Sequence, residues 1–508
     1  MIDITKCDLK DRKAWDLICS GHTKGVFQLE THLGKHWCKE AKPRNIEELA
    51  DVISIIRPGT LKAIEDGKSM TQRYADRKHN REETKSLYEP IDEIISSTYN
   101  IIIYQEQAMQ IAQKMAGFTE SQADILRKAI GKKKAALMTK VKKEFIEGCL
   151  KEGHTQEDAD RIFDIIEKSN RYSFNKSHAV SYALMAFWSA YLKANNKLNF
   201  YLFWLRNARE KIDPNREVYE LVESAKLDRI GINIPSIDFV EENFSIQDGE
   251  IYFGLTSVKN VGINEFLKIR DLMKNHNSDS WVHLLVDVLS HINKRSVQNL
   301  IAVGAFSKFK KSRSEMTHEL SCLRELTKKE MQNLTERLDS GLTLKQNLQK
   351  MNGLKRDGGG VSTTKRLSVF QDIIKRLDEP GRSLRDDPLS ICISEENLLG
   401  VAVSYSKLDA CGDASHANAT CKEINDGRKE KSILAVEITE TKEHITKKGD
   451  KMCFVTAKDN SLELENIVVF PEPYETFGDI IYNTATVLLF GQKAKDRNSF
   501  IVNEIIQI

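Results

Sequence analysis

Four segments hold residues able to do chemistry. From Arg127 to Lys143 run eight basic residues, Arg127, Lys128, Lys132, Lys133, Lys134, Lys140, Lys142 and Lys143, with no acidic residue among them. Such a stretch without local neutralisation attracts a polyanion, and phosphates bound there release counterions, so binding falls steeply with salt. The same residues also suit a plain solvated helix face, and composition does not choose between the two. In YSFNKSHAVSYALMAFWSAYLKANN, the polar lead-in Asn175, Lys176, Ser177 and His178 precedes a run that is apolar nearly all round from Val180 to Leu192. That pattern predicts a buried helix capped by Asn175 or Ser177. A helix N-terminus carrying Lys and His suits an anionic oxygen such as a phosphate; the alternative is that His178 only closes the turn. In IIIYQEQAMQIAQKMAGF, Glu106 stands among Gln105, Gln107 and Gln110, and the segment alone assigns it no chemistry. In SVKNVG, a short helix, a tight turn of positive φ supplied by Gly262 and a second helix would form a hairpin whose backbone N–H groups hold a phosphate.

Other chemistries find no residues. Metal-dependent phosphoryl transfer needs two or three convergent carboxylates, and no apolar run carries Asp-x-Asp; Asp386 and Asp387 fall in a polar loop, Asp3 and Asp8 at the terminus. Walker A, GxSxG, HExxH and GxGxxG patterns are all missing. The nine cysteines form no CxxC, which reads as reduced thiols. Cys411, His416 and Cys421 lack the fourth ligand a structural zinc needs, which favours a polar loop.

These segments sit in a chain of 508 residues, 40% hydrophobic, 30% charged and of net charge +2. Roughly three to five domains are expected, with real cores, so collagen-like sequence and wholesale disorder are excluded. No apolar run reaches the length of about 18 residues that suggests a membrane span, and MIDITKCDLKDRK lacks the apolar stretch of a secretory signal, so a cytoplasmic, non-membrane protein is expected. Helical periodicity dominates residues 1–245, as in Ala108, Ile111, Ala112, Met115 and Phe118. Residues 246–310 hold an alternating EIYFGL run and two short helical units, SVKNVGINEFLKIRDL and HINKRSVQNLIAVGAF. Residues 311–395 read as a charged helical connector jointed at Gly358, Gly359 and Gly360. In residues 396–508, SILAVEI, MCFVTAKD, LENIVVF, ATVLLFG and FIVNEIIQI are strand-like, which suggests a small barrel with an OB-fold as one candidate.

Taken together, TKGVFQLE (23–30), IRPGT (56–60), DRKH (76–79), IIIYQEQAMQIAQKMAGF (101–118), ADILRKAIGKKK (123–134), SFNKSHAVSYALMAFWSAYLKA (173–194), FGLTSVKNVG (253–262), LIAVGAF (300–306) and MCFVTAKD (452–459) resemble the C-family replicative DNA polymerases of bacteria, in the family's order and over nearly the whole chain. The resemblance implies a multidomain α+β protein: mainly helical fingers (1–245), a tandem helix-hairpin-helix module gripping duplex (246–310), a helical connector (311–395) and a C-terminal OB-fold β-barrel (396–508). It implies that Arg127 and Lys128 approach the incoming dNTP, that Asn175, Lys176 and His178 line the pocket of the nascent pair, that Lys132, Lys133 and Lys134 meet phosphates, and that Lys259 and Gly262 hold the duplex backbone.

There are also departures from the family. Its PHP domain and its palm, with three catalytic aspartates, lie upstream of TKGVFQLE. The expectation is therefore the C-terminal part of a split alpha subunit, with a phage gene among the sources to weigh. This chain would be inactive alone, its primer-template DNA and dNTP served by a palm- and PHP-bearing polymerase chain that holds Mg²⁺. Asn260 stands where the family's hairpin has Gly, and Asn tolerates a left-handed turn; Lys128 replaces a second Arg, which loses a bidentate fork but keeps the charge. A sliding clamp is a further expected partner, although LSVFQ (367–371) is only a trace of a clamp-binding peptide and lacks its leading Gln. The alternatives are a non-catalytic DNA-binding replication factor and a truncated gene remnant with an exposed apolar face.

Overall fold

The computed structural model describes residues 3–508 apart from 132–134, 170–171, 276–279, 353–363, 382, 429, 484–485 and 495–498. The chain divides into two compact units, residues 1–204 with 223–229, and residues 205–222 with 230–508.

The first unit is helical. It contains α1 (Arg12–Ser20), α2 (His32–Ala41), α3 (Ile46–Ile55), α4 (Pro58–Lys62), α5 (Met70–Lys78), α6 (Glu89–Ile95), α7 (Gln105–Ala116), α8 (Glu120–Gly131), α9 (Ala135–Lys151), α10 (Gln156–Ser169) and α11 (Lys176–Asn195). A two-residue pair, β1 (Ile64–Glu65) with β2 (Lys68–Ser69), joins α4 to α5. Local signals start the helices: the side chains of Asp11, Thr31, Asn45 and Asn175 accept from the first-turn N–H groups of α1, α2, α3 and α11, satisfying donors that have no intrahelical partner. Two cores result. One gathers side chains of α1, α2, α3, α5 and α11, and the other those of α6 to α10.

Helix α11 is not buried all round, as its composition suggests. Ala179, Ala183, Ala186 and Ala190 recur at helical spacing, are fully buried, and let α11 approach α3 and α1 closely. Ser181 and Met185, on other faces, are exposed. Small residues define the packed stripe, so a count of apolar residues overstates how much of this helix is inside.

Helices α12 (Lys197–Asn207) and α13 (Pro214–Leu227) each contribute residues to both units. The second unit continues with β3 (Ile232–Asn233), β4 (Ser245–Gln247) and β5 (Glu250–Tyr252), in sheet order β3-β5-β4. Asp248 and Gly249 turn β4 into β5 with φ of 51° and 83°, the positive values that a tight hairpin demands. Next come α14 (Ile263–Asn275), α15 (Trp281–His291) and α16 (Lys294–Ala302), then α17 (Arg313–Leu323), α18 (Lys328–Arg337), α19 (Leu344–Asn352), α20 (Thr364–Asp378) and α21 (Pro388–Leu399). The glycines expected to joint the connector, Gly358 to Gly360, lie outside the described residues.

After the short α22 (Lys407–Ala410) and α23 (Cys421–Asn425), the five strand-like runs form β6 (Ser432–Ile445), β7 (Lys451–Lys458), β8 (Glu463–Val469), β9 (Thr486–Lys493) and β10 (Phe500–Gln507), with α24 (Pro471–Asn483) between β8 and β9. They close into a barrel of order β10-β8-β7-β6-β9, in which only the β8–β10 pair is parallel. This is consistent with an OB-like fold. Strand β6 outruns its predicted end by seven residues, continuing from Ile438 to Ile445 as a mostly exposed ribbon paired with β7. Closure depends on Gly491: a Cβ there would lie 2.1 Å from the Ile501 carbonyl oxygen on β10.

Candidate nucleotide and nucleic-acid interface

The lead-in to α11 is built by two segments far apart in sequence. Phe174 and Tyr104 form a parallel bridge, with Phe174 N–H donating to the Ile103 carbonyl (2.9 Å) and Gln105 N–H donating to the Phe174 carbonyl (2.9 Å). Asn175 is the cap: its Oδ1 accepts from His178 N–H at 2.9 Å. Glu106, to which the sequence assigned nothing, proves central. Its carboxylate accepts from Asn175 Nδ2 (2.8 Å) and from the Lys176 backbone N–H (2.9 Å). A carboxylate of α7 thus faces this helix N-terminus, where the helix dipole favours negative charge.

Aromatic groups run along the same face. The Arg57 guanidinium sits 3.8 Å over the Phe174 ring. His178 lies 5.4 Å from Phe174 and 4.1 Å from Tyr182, and Tyr182 lies 5.1 Å from Phe27. Lys176 and His178 themselves are exposed. Below them, Lys176 Nζ lies 5.6 Å from the Tyr104 ring. The Tyr104 and Tyr74 hydroxyls donate to Asp51 at 2.6 and 2.9 Å. Burial raises the Asp51 carboxyl to about 6, against the lowering effect of those two phenols.

The basic stretch is more neutralised than its composition implies. Arg127 donates to Asp124 through Nε (3.0 Å) and Nη2 (2.8 Å), and Lys128 pairs with the same carboxylate at 2.6 Å. These contacts, Lys128 first, hold Asp124 below its ordinary pKa. Lys142 reaches Asp164 (2.8 Å) and Asp160 (3.6 Å) on α10, while Lys140 and Lys143 lie 3.8 Å from Glu144 and Glu147. The idea of positive charge without local neutralisation is thus corrected for these five residues. An acidic partner lies just upstream, one turn on, or on the next helix. Lys132, Lys133 and Lys134 lie outside the described residues.

A buried ionic network supports the segment around TKGVFQLE. Lys193 of α11 has no solvent exposure, and its Nζ donates to the carbonyls of His22 (3.0 Å) and Lys24 (3.0 Å) and to Ser224 Oγ (3.2 Å). Asp228 lies 4.0 Å from it and takes Lys197 (2.6 Å), the Tyr201 hydroxyl (2.5 Å) and His22 (3.4 Å). Burial lowers Lys193 to about 7. Burial also pushes Asp228 upward, but contacts with His22, Lys197 and Tyr201 more than offset it, so that carboxyl lies well below its ordinary range.

The hairpins form in the second unit. Val258 and Val261 are buried, whereas Lys259, Asn260, Gly262 and Ile263 are exposed between them and α14. The left-handed turn is made by Asn260, with φ of 68°. This corrects the role given to Gly262, which is not among the positive-φ glycines. Gly262 instead precedes α14, its carbonyl accepting from Phe266 N–H (3.0 Å), and open space surrounds it. Asn supplies the turn because its short polar side chain lowers the left-handed penalty. The backbone N–H of Lys259 is already taken by the Leu398 carbonyl (3.0 Å), so the first turn of α14 holds the donors that lack intrahelical partners.

A second hairpin, whose place the helical pattern marked without pointing to site residues, joins α15 to α16. Asn293 caps α16, and Asn293, Lys294 and Arg295 are exposed. From α16, Ser296 Oγ donates to the Asn260 carbonyl (2.7 Å) and Asn299 Nδ2 to the Lys259 carbonyl (2.6 Å). Glu265 of α14 accepts from Asn293 N–H at 2.9 Å. The two tips are thereby fixed to each other. The signal that could have found it was Asn293, a cap residue directly before the helical run of α16.

The clamp-peptide trace LSVFQ lies inside α20 with Phe370 fully buried, so its main apolar side chain is committed to the core and unavailable to a partner. All nine cysteines are free thiols. Among the described residues no group of three or more His, Cys, Asp or Glu is placed to hold a metal ion, and no helix is long and apolar enough to cross a membrane.

Comparison with known proteins bears on this geometry. Residues 1–153 match the family model described as bacterial DNA polymerase III alpha subunit finger domain, and residues 229–316 match a helix-hairpin-helix motif. DNA polymerase III subunit alpha of Aquifex aeolicus (strain VF5) is 30% identical over 513 residues, covering 99% of this chain and 40% of that protein. Over nearly its whole length the chain is thus similar to DNA polymerase III alpha subunits. The subunit from Bacillus subtilis (strain 168) is 27% identical over 507 residues, and that from Staphylococcus aureus (strain MSSA476) 29% over 513, each covering 99% of this chain. The chain corresponds to the C-terminal part of these alpha subunits and spans about two fifths of their length, 40% to 43%.

Proposed function

We propose that this chain holds primer-template DNA and the incoming dNTP for replicative, DNA-templated DNA synthesis. The observation that carries the reading is the pair of hairpins, pinned by Ser296 and Asn299, that present Lys259, Gly262, Lys294 and Arg295 to solvent. Two rigid tips with basic side chains and first-turn N–H groups suit successive phosphates of a duplex backbone without reading its sequence. In this reading residues 1–245 are fingers, 246–310 the duplex grip, 311–395 a connector and 396–508 an OB domain near the template strand. Arg127 and Lys128 exchange Asp124 for the triphosphate, Asn175, Lys176 and His178 line the pocket of the nascent pair, and Lys132, Lys133 and Lys134 meet phosphates. Phosphoryl transfer asks the protein mainly for positioning and charge neutralisation. A divalent cation, with Mg²⁺ as the ion, belongs to palm carboxylates outside these 508 residues. No described residues here fit it, and no step of this chain runs through it.

The test is direct. Purified chain alone gives no primer extension, whereas adding a palm-bearing polypeptide gives divalent-cation-dependent extension. Its affinity for primed duplex falls steeply with salt; a flat titration between low and moderate salt rejects the proposal. The commitment of Arg127 and Lys128 to Asp124 favours a second reading, a DNA-binding replication factor without catalysis. That reading predicts the same salt-dependent binding but no extension with any palm partner.

A further inference from the structure

Arg57 stands apart from the paired arginines of its unit. Arg44, Arg73, Arg77, Arg81, Arg127 and Arg161 each lie within 4 Å of a carboxylate. Arg57 has no ion pair and no side-chain hydrogen bond among the described residues. Its Nε is buried without a partner, its side chain makes no cap bond although Arg57 holds the N-cap position of α4, and burial lowers its pKa. Three residues on, Thr60 is 1% exposed and its Oγ1 also lacks a partner. A half-buried guanidinium left unpaired is unfavourable, and the Phe174 ring beneath it offsets only part of that cost. The arrangement nevertheless fixes the group in place. The same ring lies against His178, and Lys176 follows two residues after it, both exposed. Glu106 faces Asn175 and the Lys176 backbone, and among the described residues no carboxylate pairs with Arg57 itself.

We propose that Arg57, held over Phe174, binds a phosphate group, which a nucleoside triphosphate or a nucleic-acid strand would supply. Arginine suits this task because its planar fork donates two parallel hydrogen bonds to phosphate oxygens, which a lysine cannot reproduce. The inference deepens the nucleotide- and DNA-holding reading and rests on it. It adds a phosphate-holding residue from the IRPGT segment, stacked on the Phe174 end of the aromatic row.

The experiment uses the full chain in two arms: a fluorescent dNTP titrated alone, and a primed duplex followed by anisotropy across a salt series. Arg57→Ala weakens one arm roughly tenfold, the loss expected for a charged hydrogen-bonded contact. In the duplex arm it also lowers the salt slope by about 0.9. Arg57→Lys keeps the charge and the salt slope but recovers only part of the affinity, which separates the fork from simple attraction and serves where Arg57→Ala fails to fold. Arg44→Ala, which removes a carboxylate-paired surface arginine, leaves both arms unchanged. Loss confined to the dNTP arm assigns a nucleotide phosphate, and loss confined to the duplex arm assigns a strand phosphate. Parent-like binding of Arg57→Ala or Arg57→Lys in both arms overturns the inference while leaving the broader reading intact. A parent chain that binds neither probe overturns both.

Discussion

Replacing Glu106 tests whether a carboxylate from α7 organises the start of α11. Glu106→Ala removes both acceptors, leaving Asn175 Nδ2 and the Lys176 N–H without partners. Hydrogen bonds to a buried charged group contribute about 1.5–3 kcal/mol each. Here Lys176 is exposed and water replaces part of each bond, so about 1 kcal/mol apiece is a better figure. The lead-in should then open more easily by about 2 kcal/mol, and since each 1.4 kcal/mol is tenfold, its amides should exchange about 30-fold faster. Glu106→Gln keeps one acceptor but loses the charge facing the helix N-terminus, and should give roughly half that free energy, about fivefold. Native-state hydrogen exchange is the right assay, because a chain of several cooperative units has no single unfolding free energy. Barrel amides serve as the internal control. If the Lys176 and Ser177 amides of Glu106→Ala exchange within twofold of the parent, the carboxylate is not what holds this segment and the argument from the two bonds is wrong.

Two further predictions concern stability. Lys193, lowered to about 7 by burial from an ordinary 10.5, leaves the unfolded chain with more bound protons between those values. Stability therefore rises with pH from about 7 towards 10.5 and is lowest below that window, by up to about 1.4 kcal/mol per pH unit. Lys193→Met should abolish this slope and, by leaving the His22 and Lys24 carbonyls unpaired, destabilise the unit by about 2–4 kcal/mol. Urea unfolding followed through Trp15 and Trp37 reads both effects, and an identical pH slope in the two proteins counts against the buried-amine account. Gly491→Ala places a methyl against the Ile501 carbonyl and should weaken the barrel by about 1–3 kcal/mol through forced backbone movement. Unchanged amide protection in β9 and β10 would contradict the close approach drawn for these strands.

Local physics made much of this protein legible. All five barrel strands follow alternating or continuous apolar runs bounded by Gly, Asp and Asn, because a strand's side-chain period is two. Asn175 as one of two cap candidates for α11 was also readable, since a cap depends on one residue's own backbone and side chain, whereas the left-handed turn read at Gly262 is made by Asn260. The pairing of Asp124 with Arg127 and Lys128 was readable too, as neighbours three and four apart on one helix face meet, but a count that started at Arg127 hid it. What only the tertiary structure decided is where distant charges and polar groups meet. Glu106 reaches Asn175 and Lys176 across 69 and 70 residues, Lys193 reaches the His22 and Lys24 carbonyls across 171 and 169, and Asn299 reaches the Lys259 carbonyl across 40. Composition sets how many charges a chain carries, but chain topology sets which of them have partners. For that reason the sequence could mark Arg127 to Lys143 as basic, where packing supplies carboxylate partners, while packing left Arg57 over an aromatic ring with no carboxylate against it among the described residues.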